Sequence, residues 1–158
     1  MRIRNSASGL VVRDGHVLLL RGDWPQPDTF WLPGGGQEPG ETLSACAERE
    51  VWEETGVRVR AAELLLVREN IPTNHPDGPF PGSRSHRVEM LFWCELVDEP
   101  EVLGGTEPDT VQTGVEWMPV DKLTGLRFLP LWFGERLPAL IDLGQKRARG
   151  GVYAGDVV

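Results

Sequence analysis

Short apolar runs near the N-terminus are typical of β-strands. The segment "LVVRDGHVLLL" has two such runs on either side of Asp14 and Gly15. Aspartate followed by glycine readily adopts the positive backbone angles of a two-residue hairpin turn. The pattern therefore predicts an antiparallel pair of strands.

A helix is predicted next along the chain. The stretch before it, "FWLPGGGQEPGE", is rich in glycine and proline and predicts a loop. Residues 42–55 contain no internal Gly or Pro. Thr42 is suited to be the N-cap, and Gly56 stands where a left-handed C-cap is usual. We expect the loop to lead directly into this helix.

Later segments predict two long strands, a long loop and a second helix. The segments "VRVRAAELLLVREN" and "HRVEMLFWCELV" have the composition of strands. Residues 71–85 between them are rich in Pro and Gly and predict a loop that borders a site. "VEWMPVDKL" predicts a last short strand that turns into the start of a helix. Residues 129–143 predict a second packing helix despite Pro130 and Pro138. Together these segments predict a single α/β domain over residues 1–146, followed by a flexible tail over 147–158.

Composition and charge narrow the function classes. The chain has 158 residues, 40% of them hydrophobic, which suits one domain with one substantial core. A net charge of −8 argues against a basic surface for a nucleic acid duplex, and no apolar run approaches the ~20 residues of a membrane span. Cys46 and Cys94 lack the spacing of a disulfide framework and are interpreted as reduced core thiols. We expect a cytoplasmic protein that does not bind a membrane. The sequence does not decide between a monomer and a homodimer.

Three glutamates are concentrated near the C-terminal end of the predicted helix. At about 100° per residue, Glu50, Glu53 and Glu54 share one face with the small apolar residues one and two turns earlier. Carboxylates this close repel one another, and the helix macrodipole adds to the repulsion. Most acidic helix ends are simply solvated, but a solvated cluster would be expected on the opposite face from the apolar residues. The pattern therefore favours a bound cation, and oxygen ligands suit Mg²⁺, with Mn²⁺ as a substitute.

The residues around this cluster resemble the Nudix box. The matching positions are Gly35, Glu41, Arg49, Glu50, Val51, Glu53, Glu54, Gly56 and Val57. The resemblance implies a Nudix fold, an α/β/α sandwich with a mixed β-sheet. It also implies metal-dependent hydrolysis of a nucleoside diphosphate derivative, such as a nucleotide, a nucleotide sugar, ADP-ribose or a dinucleotide.

The resemblance also assigns roles to individual residues. Glu50, Glu53 and Glu54 would bind the divalent metal, together with the backbone of Gly34 or Gly35. Arg49 and Glu41 would orient these carboxylates. The residues predicted to serve catalysis are Glu50, Glu53 and Arg49. The general base is left open between a box glutamate and a carboxylate elsewhere, for which Glu89, Asp109 and Glu116 are candidates.

Substrate contacts are predicted outside the box. Strand alternation places Arg87 and Glu89 on one face of their strand, and Arg84 precedes it, so these three are candidate substrate-binding residues. Aromatic residues that could stack on a base are Trp24, Trp31 and Phe80. The expected partner is a small molecule.

Two other functions are compatible with the same resemblance. A noncatalytic nucleotide-sensing Nudix module would more naturally lack one of the box glutamates. An isoprenoid diphosphate isomerase would be expected to carry a catalytic cysteine, and Cys46, which lies within the box helix, is a poor candidate for it.

Overall fold

The computed structural model describes residues 2–78, 82–146 and 153–157. These residues form a curled, mixed β-sheet with an α-helix on each face. Within them the strands are β1 (Arg2–Arg13), β2 (His16–Gly22), β3 (Thr29–Trp31), β4 (Gly34–Gly36), β5 (Arg58–Asn70), β6 (Ser85–Asp98), β7 (Gln112–Pro119) and β8 (Arg127–Phe128). The α-helices are α1 (Leu43–Thr55) and α2 (Phe133–Lys146), with single-turn 3-10 helices at Pro72–Asn74 and Val120–Lys122. Neither α-helix has the length and apolar character needed to cross a bilayer, which holds for the described residues only.

The predicted hairpin begins the sheet. Strands β1 and β2 pair antiparallel, and both turn residues have positive φ angles, 47° at Asp14 and 73° at Gly15. The sheet continues in the order β5-β6-β1-β2-β3-β8, with β4 paired to β1 and β7 paired to β2. Because β1–β6 and β3–β8 are parallel and the other pairs antiparallel, the sheet is mixed. The predicted α/β class is confirmed.

Both faces of the sheet are apolar, because successive residues of the central strands point to opposite sides. The core on the α2 side includes Leu10, Leu19, Phe128, Leu137 and Ile141. The core on the α1 side includes Val11, Leu18, Cys46, Val51 and Phe92. Cys46 and Cys94 are both buried free thiols, as expected.

The first helix has the predicted caps. The Thr42 hydroxyl accepts a hydrogen bond from the Ala45 N–H at 3.2 Å, and Gly56 ends the helix in the left-handed conformation, with φ of 79°. The Tyr153 hydroxyl accepts from the Leu43 N–H at 3.1 Å, and its ring packs edge-on against Phe92. This contact places part of the C-terminal segment on the α1 side of the core. The domain bounds and the flexibility of residues 147–158 stay predictions, and 147–152 and 158 lie outside the described residues.

The predicted loop over the glycine run is wrong. Gly34–Gly36 form strand β4, which pairs antiparallel with β1 so that Gly34 is opposite Ser8. A Cβ atom on Gly34 would lie 2.6 Å from the Ala7 carbonyl oxygen and from the Ser8 Cα. The glycines therefore permit a close backbone approach that a side chain would block.

The prediction for the C-terminal half needs two corrections. Strand β7 is not the last strand, because β8 follows it and pairs parallel with β3. Helix α2 begins at Phe133 rather than 129, since the Leu129 N–H donates to the Phe30 carbonyl and extends the β3–β8 edge instead. The helix also continues through Pro138, where buried Leu137 and Ile141 anchor it to the core.

We expect Gly34→Ala to lower the free energy of unfolding by about 1–3 kcal/mol, because the added methyl group must push β4 away from β1. Gly114→Ala is the matched control, since Gly114 is also a strand glycine but has no atom within 4 Å of its Cβ position. Denaturant unfolding of both variants measures the difference. Equal stability of the two variants would contradict the close packing of β4 on β1.

Candidate active site

The guanidinium group of Arg49 is at the centre of the acidic cluster on α1. It donates two hydrogen bonds to the Glu41 carboxylate, at 2.8 and 3.1 Å. Nη1 donates to both Glu50 and Glu53, each at 2.9 Å, and Nη2 donates to the Gly36 carbonyl at 3.0 Å. The hydrogen bond from Arg49 lowers the pKa of Glu41. One arginine thus joins three carboxylates and the glycine strand.

Glu54 is the most deeply buried acid of the cluster, with 3% of the residue exposed. Its carboxylate accepts a hydrogen bond from the Gly34 N–H at 2.8 Å. Burial raises the pKa of Glu54 to about 8, and the negative charges of Glu50 and Asp109 contribute to the rise. The helix projection placed Glu54 on an inward face, and its burial agrees with that placement.

Strand β4 lies directly against the carboxylate of Glu50. A Cβ atom on Gly35 would be 2.4 Å from the Glu50 carboxyl carbon, so only a glycine leaves room for this side chain in its present position. Burial raises the pKa of Glu50. The Gly35 carbonyl faces the same helix and accepts from the Cys46 thiol at 3.7 Å. Backbone oxygens and carboxylates therefore approach each other at this point.

The segment before β7 closes the C-terminal end of α1. The backbone N–H groups of Gly104 and Glu107 donate to the carbonyls of Thr55 and Glu53, at 2.9 and 3.0 Å. These bonds satisfy carbonyls that a helix end leaves unpaired. They also bring Asp109 close enough to raise the pKa of two site carboxylates, Glu50 and Glu54. Sequence reasoning named Asp109 as a candidate base but gave no sign that this segment docks on the helix.

The donor atoms of the cluster have the chemistry of a hard-cation site. Carboxylate and carbonyl oxygens are the ligands that Mg²⁺ and Mn²⁺ prefer. In the observed conformation Glu50 and Glu53 are directed to Arg49, and no three His, Cys, Asp or Glu side chains of residues 2–78, 82–146 and 153–157 are grouped as metal ligands. Arg49 bonds to one oxygen of Glu50 and one oxygen of Glu53, so metal binding at this cluster would use the other oxygen of each carboxylate.

A cavity of about 380 Å³ is lined in part by Gly34, whose N–H bonds to Glu54 of the acidic cluster. We call it the Glu89 cavity. Its described lining includes Ser8, Trp31, Arg68, Glu89, Leu91 and Trp132. The Ser8 hydroxyl donates to Glu89 Oε1 at 2.9 Å, and Arg68 forms an ion pair with Glu89 Oε2. A mostly apolar cavity with a few convergent polar groups is typical of a small-molecule site.

The predicted substrate-binding residues have different positions around this cavity. Glu89 lines it, whereas Arg84 is exposed and Arg87 is half-buried, and neither is part of the described lining. Trp31 also lines the cavity and Trp24 does not, while Phe80 falls outside the described residues. His75 and Gly78, from the predicted loop, form part of the wall.

Ser8, Arg68 and Trp132 are among the residues that line the cavity and that the sequence did not indicate. Arg68 could have been found by alternation, because it lies two positions after Leu66 on β5 and both residues line the cavity. Ser8 and Trp132 gave no local signal, since their importance depends on the pairing of β1 with β6 and on the placement of α2. The third candidate base, Glu116, lies on β7 near the charge of Arg21.

Comparison with known proteins assigns the family. The NUDIX domain model matches residues 3–139, so the chain belongs to the Nudix family. A MutT-like protein of Streptomyces ambofaciens is 35% identical over 121 residues, which cover 75% of this chain and 66% of that protein. The NAD-capped RNA hydrolase NudC of Deinococcus radiodurans is 50% identical over 113 residues, which cover 72% of this chain and 35% of NudC.

A solved structure agrees with this assignment. The MutT NUDIX hydrolase from Burkholderia pseudomallei superposes with a TM-score of 0.64 and 25% identity, covering 85% of this chain and 96% of that one. The resemblance to the Nudix family and the predicted Nudix fold are confirmed. The chain spans only 66% and 35% of the length of the two curated relatives.

The raised pKa of Glu54 predicts a pH dependence of stability in the absence of metal. Between the ordinary value of 4.5 and about 8, the folded protein keeps a proton on Glu54 that the unfolded chain has released. Stability should therefore fall as the pH rises through this window. We expect the thermal midpoint of the wild type to decline more steeply between about pH 5 and pH 8 than that of Glu54→Gln, which has no proton to lose.

The exposed residue Glu135 provides the control for this comparison, because Glu135→Gln removes a carboxylate that is open to solvent. This variant should follow the wild-type pH profile. Identical slopes for the wild type and Glu54→Gln would show that the burial of Glu54 has no effect on its titration.

Proposed function

We propose that this protein is a pyrophosphohydrolase that cleaves the diphosphate linkage of a nucleoside diphosphate derivative with the help of Mg²⁺ or Mn²⁺. The observation that carries the proposal is the contact of the glycine strand with two glutamates of α1, Gly35 against Glu50 and Gly34 on Glu54, where Gly34 also lines a cavity of ligand size. Family membership supports it, because the names of the two curated relatives describe a MutT-like protein and a hydrolase of NAD-capped RNA.

The carboxylates of Glu50, Glu53 and Glu54 would hold the metal, together with the carbonyl of Gly35. Glu54 is already fixed by its hydrogen bond from Gly34. When bound, the ion would activate the attacking water and would neutralise charge on the phosphate oxygens. Relief of the like-charge repulsion within the cluster would favour its binding.

Arg49 and Glu41 would serve as positioning residues. The two hydrogen bonds between them fix the plane of the guanidinium group. Arg49 can then orient Glu50 and Glu53 by charge-assisted hydrogen bonds, which are stronger than neutral ones. Their role is to place the carboxylates, since neither is needed to receive a proton from water.

Glu50 is our candidate general base. A water molecule attacks one phosphorus atom, a carboxylate oxygen of Glu50 accepts its proton, and the bond from that phosphorus to the bridging oxygen breaks. Burial raises the pKa of Glu50, which makes its carboxylate a better proton acceptor. Asp109 is the second candidate, because the docked segment before β7 brings it near the same cluster.

The two alternative functions have less support. Glu50, Glu53 and Glu54 of the box are all present, whereas a purely sensing module has no need of them. Neither cysteine belongs to the described lining of the Glu89 cavity. Burial raises the pKa of Cys46 to about 12 and raises that of Cys94 as well, so neither thiol is suited to the proton transfers of an isomerase.

Metal dependence is the first test of this function. Activity on a panel of nucleotides, nucleotide sugars, ADP-ribose and dinucleoside polyphosphates should vanish in excess chelator and return with Mg²⁺ or Mn²⁺. The thermal midpoint should also rise with the concentration of Mg²⁺, because an ion that binds only the folded state stabilises it. Undiminished turnover in excess chelator would exclude this mechanism.

Glu53→Gln is the second test. The variant keeps the shape of the side chain and removes one charge, so turnover should fall on the order of a thousandfold. Its metal-free stability should stay within about 1 kcal/mol of the wild type, because the lost contact with Arg49 and the relieved repulsion oppose each other. Turnover and thermal midpoint are measured together.

Glu48→Gln is the matched control on the same helix. The Glu48 carboxylate accepts from the Ala61 N–H at 2.9 Å, and a glutamine oxygen can accept the same bond. This variant should retain wild-type turnover. A Glu53→Gln protein that is clearly destabilised but fully active would show that Glu53 is structural.

A further inference from the structure

The Glu89 cavity contains an ion pair whose position is unusual for a purely structural contact. The side chains of Arg68 and Glu89 are only 21% and 20% exposed, and apolar residues such as Leu66 and Leu91 line the same cavity. Charges withdrawn from water into such surroundings seldom improve stability. A few polar groups in a mostly apolar cavity are typical of sites that orient a ligand.

We propose that this ion pair recognises the Watson–Crick edge of guanine, so that the substrate class is a guanine nucleotide derivative. The inference rests on the proposed function, because it assumes that the protein binds a nucleotide at this site. It adds the identity of the base and the residues that select it.

Glu89 has acceptor capacity left for a ligand. An ionised carboxylate offers about four lone-pair positions, two on each oxygen. Ser8 uses a position on Oε1, and Arg68 uses a position on Oε2. Against the described residues one acceptor position on each oxygen therefore remains, and two parallel N–H donors can bind them as a pair.

Only one common nucleobase presents two adjacent donors on its pairing edge. Guanine has N1–H next to the N2 amino group, and its O6 acceptor lies on the other side of N1–H. Adenine and cytosine each place a ring acceptor beside one amino group, and uracil has a single N–H between two carbonyls. A carboxylate therefore accepts a bidentate pair from guanine alone.

Arg68 completes the match with guanine. Its guanidinium group has five N–H donors, and one of those on Nη2 is directed to Glu89. A further N–H beside the carboxylate can donate to O6 of the same base. The ion pair thus presents a donor next to two acceptors, which is the complement of the guanine edge.

The aromatic walls of the cavity suit a flat base but do not select one. Trp31 and Trp132 belong to the lining, and aromatic side chains stack on every base because each base has a π-face. Stacking can supply affinity here, whereas discrimination depends on the ion pair. The volume of about 380 Å³ lies within the range of small-molecule sites.

Gly34 connects the base to the reacting group. It lines the Glu89 cavity, and its N–H bonds to Glu54 of the acidic cluster at 2.8 Å. Ser8, which holds Glu89, is opposite Gly34 in the β1–β4 pairing. A guanine in the cavity would therefore leave the ribose and diphosphate on the side of the carboxylates.

Binding of the four nucleoside monophosphates GMP, AMP, CMP and UMP tests the inference without metal or turnover. Dissociation constants are measured by calorimetry in the presence of chelator. We expect the wild type to bind GMP at least about tenfold more tightly than the other three. In Glu89→Gln one acceptor is replaced by a donor, so the preference for GMP over AMP should fall about tenfold or more while AMP binding is retained.

Glu95→Gln is the matched control, because Glu95 lies on the same strand and pairs with Arg60 but is not part of the described cavity lining. This variant should keep the wild-type preference. Retained AMP binding shows that Glu89→Gln is folded, so that a loss of preference reports on the base contact.

Several outcomes would overturn the guanine assignment. These are absence of GMP binding, equal binding of GMP and AMP by the wild type, and an unchanged preference in Glu89→Gln. A protein that hydrolyses adenine nucleotide derivatives without preferring GMP would retain the proposed function and lose this inference. A protein that prefers GMP but cleaves no diphosphate would retain the inference and lose the proposed hydrolysis.

Discussion

The site depends on the charge balance that Arg49 provides on one face of α1. Carboxylates one turn apart repel each other, and Arg49 offsets this repulsion by bonding to Glu41, Glu50 and Glu53. Glu54 accepts instead from a backbone N–H, and burial raises its pKa. One internal cation therefore offsets the charge of three carboxylates, while the buried Glu54 keeps a proton up to about pH 8 in the absence of metal. Such a compromise between stability and readiness to bind a cation is common at functional sites.

The sheet converts this local cluster into a site with two compartments. Strand β4 borders both the helix and the cavity, because Gly35 lies against Glu50 and Gly34 lines the cavity. On one side Gly34 bonds to Glu54, and on the other side it borders the same cavity as Glu89. Because β1 pairs with both β4 and β6, a single strand fixes the distance between the compartments. The geometry needed for positioning a substrate is thus built into strands rather than loops.

Local signals predicted much of this fold. The Asp14-Gly15 turn and the caps at Thr42 and Gly56 each depend on a few neighbouring residues, and each was found from the sequence. The strand at Gly34–Gly36 was missed because glycine has low intrinsic strand preference, and only close packing against β1 makes it extended. Strand β8 was missed for a similar reason, since two residues carry no periodic pattern.

The site was predictable where its residues are close together in the sequence. Glu50, Glu53 and Glu54 lie within five residues, so their shared face follows from helix geometry alone. Ser8, Arg68 and Glu89 lie on three different strands, and their contact depends on the register of β1 and β5 with β6. Register is a property of the whole sheet, because a shift by one residue would turn each side chain to the opposite face. The chemistry of the cluster could therefore be inferred from sequence, whereas the polar groups of the cavity could be found only from the structure.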